Sequence, residues 1–430
     1  MLYFILTIGL IVLLAMGIPV GFSLMLTGAI GYMVNIGDIG AWMEMTILPM
    51  RMSYSLQNFL LLSIPLFILA AKLMNGSSIT EKLFGFANTC VGWLPGGLGH
   101  ANIFASLLFA GMSGTAVSDA AGLGQIEIAA MTKNGYEPDF SAAVTAASST
   151  IGPIFPPSVP MVMFSTVSGV SVGKLFLGGV VPGILLTITL MIMVFFYAKK
   201  RGYPREKFPT KAIFWKSFKG AILPLLTPII LLAGIWSGTF TATEAAAIAA
   251  LYALIVSVFI FKEMNWKLFV QILKETARDT ASIGLVTSAA AFYGWVLARS
   301  GLTSVFADWI LGITTNPVLF MLIINVFFLV IGCFLESIAA ITIFGPVMLA
   351  PALQLGIDPL YFGVVMVFNL MIGLITPPFG IVLFITADQA KIDFNRMVRA
   401  TSPFLIPLLG TLILMSLIPG IITWLPNLLM

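Results

Sequence analysis

Two interruptions in otherwise apolar sequence constrain this chain more than any other feature. Each contains a pair of adjacent prolines, the first in IGPIFPPS (residues 151–158) and the second, 221 residues later, in IGLITPPFG (residues 372–380). Proline has no N–H to donate and disfavours helical backbone in the residue before it, so neither segment can continue as a helix. Two predicted helices that are otherwise continuous and apolar must therefore each be interrupted at a double proline.

The composition indicates what surrounds these breaks. Of the 430 residues, 59% are hydrophobic and only 9% are charged, whereas soluble domains contain about 25% charged residues. Apolar segments extend along the whole sequence, and the first twenty residues predict a membrane span rather than a removed signal peptide. We therefore expect an all-α polytopic membrane protein without a large soluble domain.

Few residues are available for catalysis or for binding a transition metal. The two cysteines, Cys90 and Cys333, make no disulfide framework, and His100 is the single histidine. A His-based metal site, Ser-His-Asp chemistry and an intramembrane enzyme are therefore not expected. The net charge of +4 is better explained by membrane topology than by nucleic-acid binding.

The basic residues predict the orientation in the membrane. Eight of them lie in the run KKRGYPREKFPTKAIFWKSFK (residues 199–219), which the positive-inside rule places in the cytoplasm. The amphipathic stretch at 262–278 is expected to lie along the cytoplasmic interface. In the resulting map, only Arg51, Lys174 and Arg299 of the 21 lysines and arginines fall on the opposite side.

The second half of the sequence repeats the first at a constant offset of 221. Residues 111–186 align with 332–407 without a gap, and the matches are mostly Gly and Pro, which determine backbone shape. Each half predicts five full crossings, and this odd number requires the second half to be inverted; such repeats are typical of secondary transporters. The predicted organisation is repeat one at 1–198 (scaffold spans and arm 1–60, hairpin one about 92–131, broken helix about 138–168), a basic cytoplasmic loop at 199–220, and inverted repeat two at 221–430 (scaffold spans and arm 221–280, hairpin two about 317–352, broken helix about 359–388).

Each half also has a Gly-rich turn, GMSGTAVSDAAGLG (111–124) or GCFLESIAA (332–340), between apolar pieces of about 17 residues. These pieces are short for full spans, so we expect re-entrant hairpins with tips near mid-membrane. Within a membrane, non-helical backbone is tolerated only where it lines a cavity or is buried in protein.

Backbone carbonyl groups that an interrupted helix leaves without a hydrogen bond, together with Ser and Thr hydroxyl groups, are suitable ligands for Na⁺. The N-terminal ends of helices are suitable for binding an anionic substrate. Ordinary small-residue helix packing is the alternative explanation of the hydroxyl groups.

Polar residues beside the tips and breaks predict a substrate cavity. Intramembrane carboxylates are functional by default, and Glu336 is considered for ion binding, proton coupling or orientation of the substrate. Glu244, which follows TFTAT, is instead expected to cap a helix. The predicted cavity residues are Ser148, Ser149, Thr150, Glu336, Ser337 and Asp119.

With these motifs the sequence resembles the large membrane (M) subunit of TRAP (tripartite ATP-independent periplasmic) transporters. The resemblance covers nearly the whole chain and rests on IPLFILAAKLMN, FAGMSGTAVSDAAGLG, AAVTAASSTIGPIFPPSVPMV, FTATEAAA and NLMIGLITPPFG. It implies Na⁺-driven import of a C4-dicarboxylate or sialic acid across the bacterial inner membrane by an elevator mechanism. It also implies two partners, a small four-helix membrane subunit (Q type) and a periplasmic substrate-binding protein (P type).

The resemblance further implies two sodium sites, each between a hairpin tip and the neighbouring break. Ala110 departs from the family, whose members often carry a hydroxyl group there. No cofactor is implied beyond Na⁺ as the coupling ion, and no transition metal. Site one would use Ser113, Gly114, Thr115, Gly152, Phe155 and Pro157; site two would use Gly332, Gly373, Thr376 and Phe379.

Other functions remain compatible with the sequence. A channel would also allow inverted repeats, although two tips with hydroxyl groups favour occluded sites. A standalone sodium–carboxylate symporter acting as a homodimer has the same architecture. In either carrier, residues 1–60 and 221–280 are predicted to form the scaffold, and residues 80–170 and 300–395 the moving part.

Overall fold

The protein is entirely helical in the part of the chain that its structure, a computed structural model, describes. These residues are 2–36, 46–76 and 78–430, and they contain no β-strand. This confirms the predicted all-α class. The arm expected within residues 1–60 of the first half lies partly outside the described residues.

The helices are numbered in chain order. Short irregular turns extend some of them, notably a π-helical turn at Val256–Ile260 that continues α12. The helices are α1 Leu2–Ala15, α2 Val20–Ile36, α3 Ile47–Ser55, α4 Ser63–Asn75, α5 Ile79–Val91, α6 Gly97–Ser113, α7 Ala116–Lys133, α8 Pro138–Ser149, α9 Val159–Ser168, α10 Val172–Arg201, α11 Lys211–Trp236, α12 Ala242–Ile255, α13 Trp266–Arg299, α14 Leu302–Ile313, α15 Pro317–Phe334, α16 Ser337–Gln354, α17 Pro359–Gly373, α18 Ile381–Ala390, α19 Phe394–Leu417 and α20 Gly420–Leu429.

Several of these helices are suited to a bilayer. Within the described residues, seven are long and apolar enough to cross a membrane. An eighth crossing results if the pair Ile47–Ser55 and Phe59–Asn75, bent by 62°, is counted as one span. These findings confirm a polytopic membrane protein. The seven are α10, α11, α12 with its π-helical turn, α13, α15, α16 and α19.

Helix boundaries in the two halves recur at the offset found in the sequence. Helices α7 and α16 begin at residues 116 and 337, and α8 and α17 begin at 138 and 359. Pro138 and Pro359 each occupy the first helical position, where the missing N–H costs no hydrogen bond. Both double-proline bonds, Pro156–Pro157 and Pro377–Pro378, are cis. The inversion of one half relative to the other in the membrane stays a prediction.

The two halves interlock reciprocally. Helix α9, which follows the first break, packs against α16 and α17, whereas α18, which follows the second break, packs against α7 and α8. In the first contact the Phe164 ring lies 6.2 Å from that of Phe362, over the space left by Gly363. In the second, Gln389 Nε2 donates to the Ala120 carbonyl (3.0 Å). Each break therefore directs its following helix onto the opposite hairpin.

The arm of the second half differs from the expected separate element. The amphipathic stretch at 262–278 and the apolar segment after it form the single 34-residue helix α13, about 51 Å long at 1.5 Å per residue. It packs against α2, α3 and α4. No proline or glycine interrupts residues 266–283, so the backbone has no reason to break between the amphipathic and the apolar part.

Ion pairs join groups that the sequence places on the cytoplasmic side. Lys72 Nζ lies 2.9 Å from Asp279 Oδ2 and 3.3 Å from Glu275 Oε2. These side chains are partly exposed, and such pairs contribute about 0–1 kcal/mol each. They matter for the topology, because each joins residues from distant parts of the chain that the positive-inside rule places on the cytoplasmic side.

Glu244 caps helix α12, as the sequence predicts. Its Oε2 accepts from the Thr241 backbone N–H (2.8 Å), and Thr241 Oγ1 accepts from the Glu244 backbone N–H (3.3 Å). This reciprocal pair is a capping box, which satisfies two helix N–H groups that would otherwise lack partners. The prediction of a capping role is confirmed.

Phe164→Ala should loosen the contact between α9 and the second half. The ring is fully buried, so its removal leaves a cavity and costs about 3–5 kcal/mol. We expect a clearly lower midpoint of thermal unfolding in detergent. Phe259→Ala is the control, because Phe259 is 71% exposed and its truncation leaves no cavity. Equal midpoints for the two variants would contradict the packing described.

Candidate functional site

The first hairpin turns within two residues. Helix α6 ends at Ser113, and α7 begins at Ala116. Gly114 has φ +64°, a left-handed conformation that glycine adopts without strain. Thr115 is extended, and its Oγ1 accepts from the Ser118 N–H (3.2 Å) as the N-cap of α7. The sequence GTA therefore produces a tight tip with a capped returning helix.

The first break is held by its own turns. Helix α8 ends at Ser149, and Phe155 N–H donates to the Ile151 carbonyl (2.8 Å). Ser158 then caps α9: its Oγ accepts from the Met161 N–H (3.2 Å) and donates to the Pro153 carbonyl. The proline-rich segment thus ends α8, and Ser158 starts α9 as its N-cap residue.

The first tip lies against the first break. The Val159 N–H donates to the Gly114 carbonyl (3.2 Å), and a Cβ at Gly114 would lie 2.8 Å from the Pro157 carbonyl oxygen. A Cβ at Gly152 would lie 3.5 Å from the Thr115 carbonyl oxygen. We call this contact, formed by residues 113–115 and 150–158, junction one.

Junction one has oxygen atoms without hydrogen bonds. Ser113 is 1% exposed, and its Oγ has no partner among the described residues. In the same part of the chain, no hydrogen bond reaches the carbonyl oxygens of Gly152, Phe155 or Pro157. Four helix termini also meet there, the C-terminal ends of α6 and α8 and the N-terminal ends of α7 and α9. Such ends suit a cation at the carbonyls and an anion at the N–H groups.

The structure thus brings together all six residues predicted for site one, which are Ser113, Gly114, Thr115, Gly152, Phe155 and Pro157. Phe155 contributes only its backbone to the break. Its side chain turns away and packs on α10, where a Cβ at Gly183 would lie 3.0 Å from the Phe155 Cβ. Their role as sodium ligands stays a prediction.

The corresponding contact in the second half is tighter. A Cβ at Gly332 would lie 3.2 Å from Gly373 Cα, so the α15 and α17 backbones touch. Thr376 Oγ1 donates to the Ile372 carbonyl (2.7 Å), and the Phe379 ring lies 5.8 Å from that of Phe334. We call this contact, formed by residues 332–336 and 373–380, junction two. All four residues predicted for site two lie in it.

The predicted cavity residues of the first half do not lie at an open surface. Ser148, Ser149 and Thr150 are at most 1% exposed, and the Ser149 and Thr150 hydroxyls each donate to a carbonyl three residues earlier. Helix α8 consists mostly of small residues and is enclosed by α6, α7, α18 and α19, which explains the burial of these three side chains. A contact of these three residues with substrate stays a prediction.

A buried polar network next to Ser148 was not foreseen from the sequence. Ser148 Oγ donates to Asn102 Oδ1 (2.7 Å), Asn102 Nδ2 donates to Thr145 Oγ1 (2.7 Å), and Ser106 lies 3.1 Å from Ser148. These bonds join α6 to α8.

The second half has a counterpart. Asn369, the position that matches Ser148 at offset 221, donates to Asn325 Oδ1 (2.9 Å), and Asn325 donates to Ser416 (2.7 Å). Asparagines within otherwise apolar helices, such as Asn102, Asn325 and Asn369, were the signal available in the sequence.

Acidic residues lie near both tips. Asp119 is 2% exposed, and its carboxylate lies near the Ser106 hydroxyl of α6. Glu336 is the N-cap residue of α16 and accepts a 3.4 Å hydrogen bond from Ser337 Oγ. Within the described chain, no three His, Cys, Asp or Glu side chains are grouped as metal ligands.

Comparison with known families gives a match over nearly the whole chain. A model of the family described as "Tripartite ATP-independent periplasmic transporter, DctM component" matches residues 7–421. The sialic acid TRAP transporter large permease protein SiaM of Vibrio cholerae is 43% identical over 416 residues, which are 97% of this chain and 96% of that protein. The C4-dicarboxylate TRAP transporter large permease protein DctM of Pseudomonas aeruginosa is 36% identical over 86% of this chain and 87% of that protein.

A solved structure with the same overall fold is the crystal structure of the Alcanivorax borkumensis YdaH transporter, described as having an unusual topology. The TM-score is 0.61, the identity is 18%, and 90% of each chain is covered. At this identity the likeness concerns the fold alone.

Gly373→Ala should disrupt junction two. The added methyl group would overlap the Gly332 backbone, which has no flexible side chain to move aside. We expect a destabilisation of about 1–3 kcal/mol or more, seen as a lower thermal midpoint and less monodisperse protein in size-exclusion chromatography. Gly312→Ala, in a helix with nothing within 4 Å of the new methyl group, should be neutral or slightly stabilising. A neutral Gly373→Ala variant would argue against the close approach.

Proposed function

This chain belongs to the DctM family of tripartite ATP-independent periplasmic (TRAP) transporters, and on that premise we propose that it imports an organic acid across the inner membrane, driven by Na⁺. The resemblance found in the sequence is confirmed, as is the prediction of a multi-pass inner-membrane protein. The relatives are named as transporter permeases rather than enzymes. This confirms the prediction that the chain is a transporter and not an intramembrane enzyme.

The observation that carries the proposed sodium coupling is the set of oxygen atoms without hydrogen bonds at junction one. A buried hydroxyl or carbonyl oxygen without a partner costs free energy, and a bound Na⁺ would remove that cost. At junction two the same role falls to Gly332, Gly373, Thr376 and Phe379. The proposal thus comprises two Na⁺ sites, one at each junction, and no other cofactor.

The substrate that we propose is a carboxylate, with sialic acid as the first candidate and a C4-dicarboxylate as the second. The order follows the identities to the two relatives, 43% and 36%. Helices α7, α9, α16 and α18 all begin at the junctions, so their positive N-terminal ends can attract the carboxylate. Ser337 and Thr115 add hydroxyl donors at the two tips.

We further propose the partners and the motion. The family description names a tripartite system, which supports a small four-helix membrane subunit and a periplasmic substrate-binding protein. The reciprocal packing of α9 on α16 and of α18 on α7 joins residues 80–170 and 300–395 in one unit. That unit would move as an elevator against a scaffold formed by residues 1–60 and 221–280.

Uptake into proteoliposomes tests this function. Labelled sialic acid and, separately, succinate would be added to vesicles that contain this chain and its small subunit, with or without the binding protein and an inward Na⁺ gradient. Uptake that needs both the binding protein and Na⁺ supports the proposal and identifies the substrate. Uptake by this chain alone would instead indicate a standalone sodium–carboxylate symporter, and uptake indifferent to Na⁺ would refute sodium coupling.

Thr376→Ala should weaken sodium binding at junction two. Removal of one ligand oxygen from a cation site costs about 1.5–3 kcal/mol, so the Na⁺ concentration for half-maximal uptake should rise about tenfold or more. Thr423→Ala is the matched control, since Thr423 makes the same bond to the carbonyl four residues earlier but lies in α20. An unchanged Na⁺ dependence in Thr376→Ala would remove Thr376 from the site.

A further inference from the structure

A cleft lined by three arginines lies outside both junctions. It has a volume of about 260 Å³ and forms where the start of α8, the end of α10 and the start of α19 meet. Arg201, Arg396 and Arg399 line it, together with Asp139 and the rings of Phe140 and Tyr197. The proposed transport function uses none of these residues.

The charges in this cleft do not balance. Arg201 pairs with Glu137, and Arg396 Nε lies 3.2 Å from Asp139 Oδ2. The other Asp139 oxygen already accepts from the Phe140 N–H (2.8 Å). Arg399 is exposed and has no ion-pair partner in the described part of the chain. Three guanidinium groups against two carboxylates leave one positive charge free for an anion.

The cleft lies at the ends of two membrane spans, at the level where lipid headgroups are found. Arg201 is the last residue of the span α10, and Arg396 and Arg399 lie in the first two turns of the span α19. The basic loop at 199–220 places this end in the cytoplasm, where the inner leaflet supplies anionic lipids.

The aromatic wall suits a molecule with an apolar part. The Phe140 and Tyr197 rings lie 5.8 Å apart, and the Arg201 guanidinium lies 5.7 and 5.4 Å from them. Aromatic rings that flank a cation are typical of the membrane–water interface. The volume of about 260 Å³ falls below the roughly 300–1,000 Å³ of sites that enclose a whole small molecule. A headgroup whose chains remain outside fits better than a complete solute.

We propose that this cleft binds the phosphate headgroup of an anionic phospholipid from the cytoplasmic leaflet. Arginine forms planar paired hydrogen bonds with phosphate oxygens, and Arg399 is the group free to do so. Basic pockets between membrane helices on this side are suited to such headgroups. The acyl chains would leave the cleft along the apolar surface of α10 and α19.

Native mass spectrometry of the purified full-length protein tests this site. The delipidated protein would be titrated with phosphatidylglycerol, with phosphatidylcholine, or with phosphatidylglycerol in the presence of free glycerol phosphate. Phosphatidylglycerol should be retained in preference to phosphatidylcholine, and free glycerol phosphate should not displace it. Arg399→Gln should weaken retention about fivefold, the effect of one basic group beside an anionic lipid.

Two further variants make the result specific. Arg205→Gln is the matched control, because Arg205 is an exposed arginine on the same cytoplasmic side that does not line the cleft; it should bind like the wild type. Ala400→Phe fills the cleft without changing charge and should weaken retention as Arg399→Gln does. Equal retention in the Arg399 and Arg205 variants, equal retention of the two lipids, or displacement by free glycerol phosphate would each overturn the proposal.

Discussion

The need to satisfy backbone polar groups inside an apolar protein governs the rest of this structure. An unpaired N–H or C=O in hydrocarbon costs several kcal/mol. Each of the two double-proline segments leaves backbone groups on both of its sides without helical partners. The chain meets this need by laying each break against a hairpin tip, as in the hydrogen bond from Val159 to the Gly114 carbonyl. What remains without a partner is a small set of oxygens at junction one, where we have proposed the first sodium site.

This arrangement explains why glycine occurs at the closest contacts. Gly114 takes up a left-handed conformation at the first tip, and Gly332 and Gly373 allow two backbones to touch at the second. Buried networks around Ser148 and Asn369 then tie each broken helix to its own hairpin. Packing of α9 and α18 on the opposite hairpins joins the two halves. The junctions are therefore positioned by rigid contacts on several sides, which supports the proposal that they move together.

Much of the local structure could be predicted from the sequence. Pro138 and Pro359 each occupy the first position of a helix, because proline, glycine and N-cap residues act on the backbone beside them. The assignment of these segments to hairpins and broken helices stays a prediction. The capping role of Glu244 was equally local. The continuity of α13 was missed because a change from amphipathic to apolar character does not by itself end a helix. The burial of Ser148, Ser149 and Thr150 was missed because hydroxyl groups that pack between helices and those that face a cavity have the same pattern.

The sequence by itself determined the membrane class, the family, the two breaks and the offset that relates the halves. These features depend on composition and on residues that constrain their own backbone. Only the tertiary structure decided which groups face each other: Gly332 against Gly373, the Asn102 network, the crossing of α9 and α18, and the cleft in which Arg201 meets Arg396 and Arg399. Such contacts join residues far apart in the chain, 269 positions in the hydrogen bond from Gln389 to the Ala120 carbonyl. Their formation depends on how whole helices pack, which no local pattern encodes.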